Sequence, residues 1–123
     1  MTERAVPILP ATDLRVARQF YVDALGFEVE FESTEDGVTG LLGVRRGTIY
    51  LTLDCPMDGH GRDACVSLQV SDADRLYDEW APRAPMLRAP KDEPWGARTF
   101  DLLDPFGNTI FVIGPTQVAD RAS

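Results

Sequence analysis

The sequence contains one histidine and two cysteines, and its basic residues are outnumbered by acidic ones. Twelve Lys and Arg against twenty Asp and Glu give a net charge of −8. Because a nucleic-acid-binding protein needs the opposite balance, we exclude DNA and RNA as direct partners. No apolar run approaches the length of a membrane-spanning helix, so the sequence predicts no membrane partner either.

Cysteine and histidine are too few for a disulfide framework or an obvious metal site. Cys55 and Cys65 lie outside any CxxC pattern. With no signal peptide expected, we predict two free thiols in a reducing cytoplasm. The histidine, His60, lies between Asp58 and Asp63 in a glycine-rich loop. One histidine beside two loop carboxylates is a weak metal signal, and we interpret it as a solvated side chain.

Length and composition favour one compact domain. The 123 residues include 44% hydrophobic ones, enough to build a core. Periodicity predicts a strand, a helix and three strands, and then the same order again. We predict a single domain over 1–123, with module one at about 1–55, module two at about 63–115 and a loose tail at 116–123. A polar loop over 55–63 links the modules.

In the first module, a helix follows a short strand over Ala5–Leu9. Thr12 or Asp13 is its predicted N-cap, and Gly26 is expected to end it in a left-handed conformation. Its apolar residues recur at three- and four-residue intervals: Leu14, Ala17, Phe20, Tyr21, Ala24 and Leu25. The remaining predicted strands are Phe27–Phe31, which has one wet face, and the hairpin of Val38–Val44 and Thr48–Asp54.

In the second module, a strand over Ala64–Val70 precedes a helix capped by Ser71 or Asp72. We assign Tyr77 and Trp80 of this helix, like Phe20 of the first, to the core. The later strands are predicted at Met86–Ala89, Ala97–Leu103 and Thr109–Ile113, with a loop over Pro90–Gly96.

The last hairpin contains the most legible turn. Pro105 presets φ for a turn, Asp104 accepts hydrogen bonds from the amides that follow, and Gly107 supplies the left-handed residue. Before the hairpin, Trp95 sits on a short stiff segment. Trp95 is therefore either a core residue or one wall of a ligand site.

The string EPWGxRxFxLxDPxGN resembles the last hairpin of the vicinal oxygen chelate superfamily, which includes glyoxalases, bleomycin-resistance proteins and extradiol dioxygenases. PWG followed by Arg98 is most similar to the bleomycin-resistance branch. The resemblance continues in order through Ile8-Leu9-Pro10-Ala11, Leu25-Gly26-Phe27 and Leu76-Tyr77-Asp78-Glu79-Trp80. It implies an α+β fold of two paired βαβββ modules, whose mixed sheets curl around a cleft. It also implies a homodimer with clefts lined by both subunits.

Enzymes of this superfamily bind a divalent metal through His and Glu from the first strand of each module and from the final strand. By the resemblance, these places fall near Val6, Cys65 and Phe111, none of which is a His or a carboxylate. We therefore expect no catalytic residue, no metal and no cofactor. A metal-dependent dioxygenase, isomerase or lyase is the alternative.

The resemblance implies instead a cleft with aromatic walls for a flat aromatic ligand. Trp95 is the first candidate wall and Phe31 the second, although Phe31 is equally explained as an ordinary strand residue. Phe111 would form an apolar floor. Tyr50 supplies a hydroxyl or packs in the core or an interface. Cys65, at one of the three places named above, completes the predicted lining.

Carboxylates give the predicted site its charge. Glu93, Asp101 and Glu32 are candidates to attract a cationic part of the ligand, and Arg98 to pair with one of them or to orient a ligand carbonyl. The resulting prediction is a non-catalytic protein that sequesters a bleomycin-like or polycyclic aromatic drug and so confers antibiotic self-resistance. A binding protein for an endogenous metabolite remains equally compatible with the sequence.

Overall fold

The computed structural model describes residues 3–56 and 63–116. His60 and the other residues of 57–62, and the tail residues 117–123, lie outside this range. The helices and strands of the described residues are, in chain order, β1 (Ile8–Pro10), α1 (Leu14–Arg18) with a π-helical continuation (Gln19–Ala24), β2 (Glu28–Ser33), β3 (Gly40–Arg46), β4 (Ile49–Cys55), β5 (Cys65–Gln69), α2 (Ala73–Trp80), β6 (Met86–Asp92), β7 (Ala97–Leu103) and β8 (Thr109–Pro115).

The strands form two mixed sheets with the same internal order. Sheet A runs β1-β4-β3-β2, and sheet B runs β5-β8-β7-β6. In each sheet the first pair is parallel and the other pairs are antiparallel. Neither sheet closes on itself. This repeated order confirms the predicted α+β fold of two βαβββ modules.

Both helices begin at a predicted aspartate. Asp13 accepts a hydrogen bond from the backbone N–H of Arg15 at 2.8 Å, and Asp72 accepts one from Arg75 at 3.1 Å. Gly26 has φ of +80°, which confirms the predicted left-handed end of the first helix. That helix was predicted as one regular element, but its second half is π-helical. The spacing of the apolar residues does not distinguish an α-helix from a π-helix.

Several strands differ from their predictions. β1 covers Ile8–Pro10 rather than Ala5–Leu9, and β3 covers Gly40–Arg46 rather than Val38–Val44. β6 extends to Asp92 instead of ending at Ala89, because bulges accommodate Pro90 while Lys91 and Asp92 still pair with β7. β2 was expected to have one wet face, but all six of its residues are exposed. The reason is its position as the outermost strand of sheet A.

The chain forms two compact units. The first contains residues 3–56, 63–64 and the turn 105–108, and the second contains residues 65–104 and 109–116. Asn108 fixes the turn within the first unit: its Nδ2 donates to the carbonyl of Pro10 at 2.9 Å, and its Oδ1 accepts from the N–H of Ala64 at 3.1 Å. Because Asn108 is fully buried, water cannot replace either bond. Gly107 has φ of +85°, as predicted for this turn.

The loop between β2 and β3 is organised by the carboxylate of Asp36. The backbone N–H groups of Thr39 and Val38 donate to its Oδ1 at 2.8 and 2.9 Å. These bonds favour the ionised form and lower the pKa of Asp36 to about 2. The loop borders a depression of about 440 Å³, and hydroxyl groups, carboxylates and Cys55 contribute to its lining.

No helix of the described residues is long and apolar enough to cross a membrane.

Candidate ligand-binding site

Helix α2 covers one side of sheet B. The rings of Tyr77 and Trp80 contact Phe100 edge-on, with centroids 5.4 and 6.4 Å apart. We call the opposite side open face B, and it is formed by Cys65, Ser67, Gln69, Arg88, Thr99, Asp101, Thr109, Phe111 and Ile113.

Phe111 lies at the centre of open face B. It is half-buried on β8, between Ser67 of β5 and Asp101 of β7, and Asp101 in turn pairs with Arg88 of β6. Because paired residues of neighbouring strands point to the same side, an aromatic ring, a carboxylate and a guanidinium follow one another across the sheet. That Phe111 forms the apolar floor of a ligand site stays a prediction.

A hydrogen-bond network surrounds Arg88. Its Nε donates to Asp101 Oδ1 at 2.7 Å, its Nη1 to Glu93 Oε1 at 3.1 Å and its Nη2 to Thr99 Oγ1 at 3.1 Å. Thr99 Oγ1 donates to Glu93 Oε1 at 2.8 Å. The side chains of Glu93 and Asp101 are 14% and 19% exposed. The two carboxylates are therefore held in fixed places and remain in reach of a ligand.

The network favours the charged forms of Glu93 and Arg88. The Thr99 hydroxyl lowers the pKa of Glu93, with Arg88 adding to the effect and partial burial opposing it. The carboxylate of Asp101 raises the pKa of Arg88, again against burial, with a contribution from Glu93. The Glu93 carboxylate and the Arg88 guanidinium are thus held in their ionised forms at neutral pH.

Trp95 occupies the tight turn between β6 and β7. The backbone N–H of Gly96 donates to the carbonyl of Glu93 at 3.1 Å and closes the turn, and Trp95 is 60% exposed. The sequence left two interpretations of Trp95 open, a core residue or the wall of a ligand site. This exposure shows that the core interpretation is wrong. The wall of a ligand site stays a prediction.

Arg98 lies on the other side of sheet B. Its Nε donates to Asp74 of α2 at 2.8 Å and its Nη1 to Asp92 at 3.3 Å. These carboxylates, Asp74 first, raise its pKa. Arg98 was expected to pair with Glu32, Glu93 or Asp101 or to orient a ligand carbonyl, and the structure corrects the first alternative, since its partners are Asp74 and Asp92. The reason is strand alternation, which points Arg98 and Asp101 to opposite sides of β7.

Among the described residues, no helix covers the corresponding side of sheet A, which we call open face A. It is formed by Ile8, Phe31, Gly43, Arg45, Tyr50 and Thr52. Phe31 is 42% exposed. Its ring fills the space where a Cβ on Gly43 would stand, since the nearest ring atom is 2.1 Å from that position. Phe31 therefore rests against the sheet itself and leaves part of the ring accessible.

Tyr50 is already engaged within open face A. The guanidinium of Arg4 lies 3.7 Å above the centroid of its ring. Arg45 is its partner on β3, and a hydrogen bond with Tyr50 is the largest cause that raises the pKa of Arg45. Arg45 also donates to Glu28 at 3.1 Å. Tyr50 thus lies between the Arg4 guanidinium above its ring and Arg45 on the neighbouring strand.

The two cysteines are free and lie in different environments. Cys65 is exposed on open face B, two residues from Ser67, which is the β5 partner of Phe111. Cys55 is buried, and this burial raises the pKa of its thiol, with smaller contributions from nearby aspartates.

The residues near the three superfamily metal positions do not fit a divalent metal. Val6 and Phe111 offer no ligand atom, and Cys65 alone cannot hold an ion. Within residues 3–56 and 63–116, no three His, Cys, Asp or Glu side chains are grouped as a metal site would need.

Arg88 and Thr99 are the members of the network that sequence reasoning missed. Arg88 lies in a short proline-containing segment, where nothing local indicates which way its side chain points. A charged residue between apolar ones in a strand is the single available signal, and it is weak.

Two βαβββ modules with uncovered sheet faces define a protein of the vicinal oxygen chelate type. The sequence matches the family described as glyoxalase superfamily protein over residues 1–117, and the chain belongs to that superfamily. This confirms the predicted superfamily. No curated protein matches the sequence significantly.

Similar solved structures include binding proteins and an enzyme. The bleomycin-binding protein of bleomycin-producing Streptomyces verticillus, complexed with copper(II)-bleomycin, is 29% identical; the match covers 94% of this chain and 100% of that one, with a TM-score of 0.74. TnmS3, an antibiotic binding protein from a Streptomyces species, is 25% identical over 94% of this chain and 99% of its own, with a TM-score of 0.74. A lactoylglutathione lyase from Agrobacterium tumefaciens, at 21% identity, 92% and 94% coverage and a TM-score of 0.73, shares the fold.

Proposed function

We propose that this protein binds a planar aromatic, cationic small molecule on its open sheet faces and releases it unchanged. The proposed ligand is a bleomycin-like or polycyclic aromatic drug, and the proposed role is self-resistance by sequestration. One observation carries the proposal: on open face B an accessible aromatic ring, Phe111, lies beside Asp101, which Arg88 links to a second carboxylate, Glu93.

The charge of the network favours a cation. One guanidinium against the carboxylates of Glu93 and Asp101 leaves one net negative charge. Lys91 of β6 pairs with Thr99 of β7. Its side chain is exposed, so water and salt screen its ammonium group. One oxygen of each carboxylate has no bond within the network and is available to ligand N–H groups.

Each open face has its own aromatic surface. Phe111 contributes on open face B, Phe31 on open face A and Trp95 at the β6–β7 turn, all with accessible rings. Rigid rings bind flat ligands with little loss of side-chain entropy. We assign Cys65 and Tyr50 to the edges of these faces. Arg98 is left out, since its donors point to Asp74 and Asp92.

We further propose a homodimer without catalytic activity, located in the cytoplasm. Exposed large apolar side chains in each unit support association: Ile8, Val29, Phe31 and Leu41 in the first unit, and Leu87 and Trp95 in the second. The residues near the superfamily metal positions support the absence of metal chemistry. The likeness to bleomycin-binding and antibiotic-binding proteins supports the ligand class.

A ligand titration tests the proposal. Bleomycin and proflavine, a planar tricyclic cation, are titrated against the protein while tryptophan emission and melting temperature are recorded. We expect saturable quenching and a rise in melting temperature. Trp95→Phe should remove most of the quenching, because the other tryptophan, Trp80, is buried. No quenching and no thermal shift with either compound would reject the proposal.

A further inference from the structure

We propose that Gly43 is a positioning residue: it sets the place of the Phe31 ring and thereby favours planar ligands on open face A. This inference rests on the proposed function, because it concerns the same ligand. Gly43, a residue without a side chain, would thus control the position of the aromatic wall formed by Phe31.

The geometry at this point is unusually close. A Cβ built on Gly43 would lie 2.1 Å from Phe31 Cε1, 2.3 Å from Cδ1 and 2.8 Å from Cζ. These are three consecutive atoms of one ring, so the ring as a whole would have to move away. Phe31 and Gly43 are directly paired between β2 and β3, which fixes their separation.

Backbone conformation gives no other reason for glycine at this position. Gly43 does not have a positive φ, and it lies in the middle of β3. Glycine inside a strand weakens the strand and commonly marks a close approach by another group. Here the approaching group is the Phe31 ring.

The neighbouring residues leave the Phe31 ring accessible to a ligand. Gly43 pairs with Thr52, and Thr52 with Ile8, so one row across sheet A runs Ile8, Thr52, Gly43, Phe31. Thr52 is 8% exposed, whereas Ile8 and Phe31 are 50% and 42% exposed. In the middle of the row, Thr52 and Gly43 project little above the sheet. At its two ends, the apolar side chains of Ile8 and Phe31 are accessible. A flat ligand ring can stack on Phe31 only while the Phe31 ring stays in close contact with Gly43.

The test is a double-mutant cycle with two ligands. Wild type, Gly43→Ala, Phe31→Ala and the double variant are compared for binding of proflavine and of amantadine, a cationic aliphatic cage. We expect Gly43→Ala to weaken proflavine about three- to tenfold, the range of one aromatic stacking contact, and to leave amantadine unchanged. In the Phe31→Ala background, Gly43→Ala should have no further effect on proflavine.

Melting temperatures of the four proteins separate stability from binding. An equal loss of proflavine affinity with and without Phe31, or an unchanged affinity in Gly43→Ala, would overturn the inference while wild-type binding stands. Failure of wild type to bind proflavine or bleomycin would instead reject the proposed function. If Gly43→Ala alone does not fold, the double variant decides: folding restored by Phe31→Ala supports the inference, and a double variant that also fails to fold overturns it.

Discussion

Arg88 Nε donates to Asp101 Oδ1 at 2.7 Å from a strand whose register shifts on both sides of Arg88. Bulges re-aim side chains, and here they allow the guanidinium to reach Asp101, Glu93 and Thr99 together. The network thus depends on an irregular strand edge rather than on regular alternation. This arrangement gives the second unit its fixed carboxylates.

The first prediction concerns Glu93. Because Thr99 and then Arg88 lower its pKa, Thr99→Val and Arg88→Gln should each raise that pKa towards its usual range. A pKa lowered by folding stabilises the folded protein above the unfolded-state pKa, and this contribution disappears as the pH falls through the folded-state value. NMR titration of the Glu93 carboxyl in the three proteins measures the effect.

Arg45→Gln is the matched control for Arg88→Gln, because Arg45 pairs with Glu28 in the other sheet. It should leave the Glu93 titration unchanged. A Glu93 pKa that is the same in wild type and in both network variants would contradict the hydrogen bonds described above.

Asp36 gives a second titration. Its pKa of about 2 arises from the N–H groups of Thr39 and Val38, so the carboxylate stabilises the folded loop above the usual aspartate pKa. This stabilisation should be lost as the pH falls from about 4 towards about 2. Asp36→Asn should therefore unfold with a weaker pH dependence in that window. An identical acid profile for the two proteins would show that Asp36 is not held by these amides.

Asn108→Ala should destabilise the protein by about 2–3 kcal/mol, because it leaves the carbonyl of Pro10 and the N–H of Ala64 without their buried partner. Urea unfolding measures the difference. Gln69→Ala, at an exposed position, serves as the control and should stay within about 0.5 kcal/mol of wild type. Equal stabilities of the two variants would argue against the role of Asn108.

The thiols should differ in reactivity. Cys65 is exposed, whereas Cys55 is buried with a raised pKa, so an aromatic disulfide reagent should modify Cys65 first. Cys65→Ser should abolish the fast phase, and Cys55→Ser should preserve it. Since Cys65 lies on open face B, saturating bleomycin or proflavine should slow the fast phase. Unchanged modification in the presence of a bound ligand would place that ligand away from this face.

Features that depend on neighbouring residues were predictable from the sequence. Asp13 and Asp72 cap their helices, and Gly26 and Gly107 adopt positive φ, because each satisfies a local hydrogen-bonding or steric need. The repeated order of strands and helices followed from hydrophobic periodicity and from the resemblance. Local physics thus determined the element types.

Features that depend on pairing between distant residues were not predictable. Strand alternation excludes Asp101 as a partner of Arg98, but its contact with Asp74 depends on how α2 packs on sheet B, and the position of Arg88 is set by two bulges. The contact of Phe31 with Gly43 requires the register of β2 against β3. A one-residue change of register would reverse each of these assignments, and no short sequence pattern specifies it.

Equilibrium titration of the protein with bleomycin, followed by mass spectrometry of the recovered ligand, tests the central claim most directly. The account predicts saturable binding that is weakened by Phe111→Ala and by Trp95→Phe, with the ligand recovered chemically intact. Absence of saturable binding, or recovery of a chemically altered ligand, would contradict it.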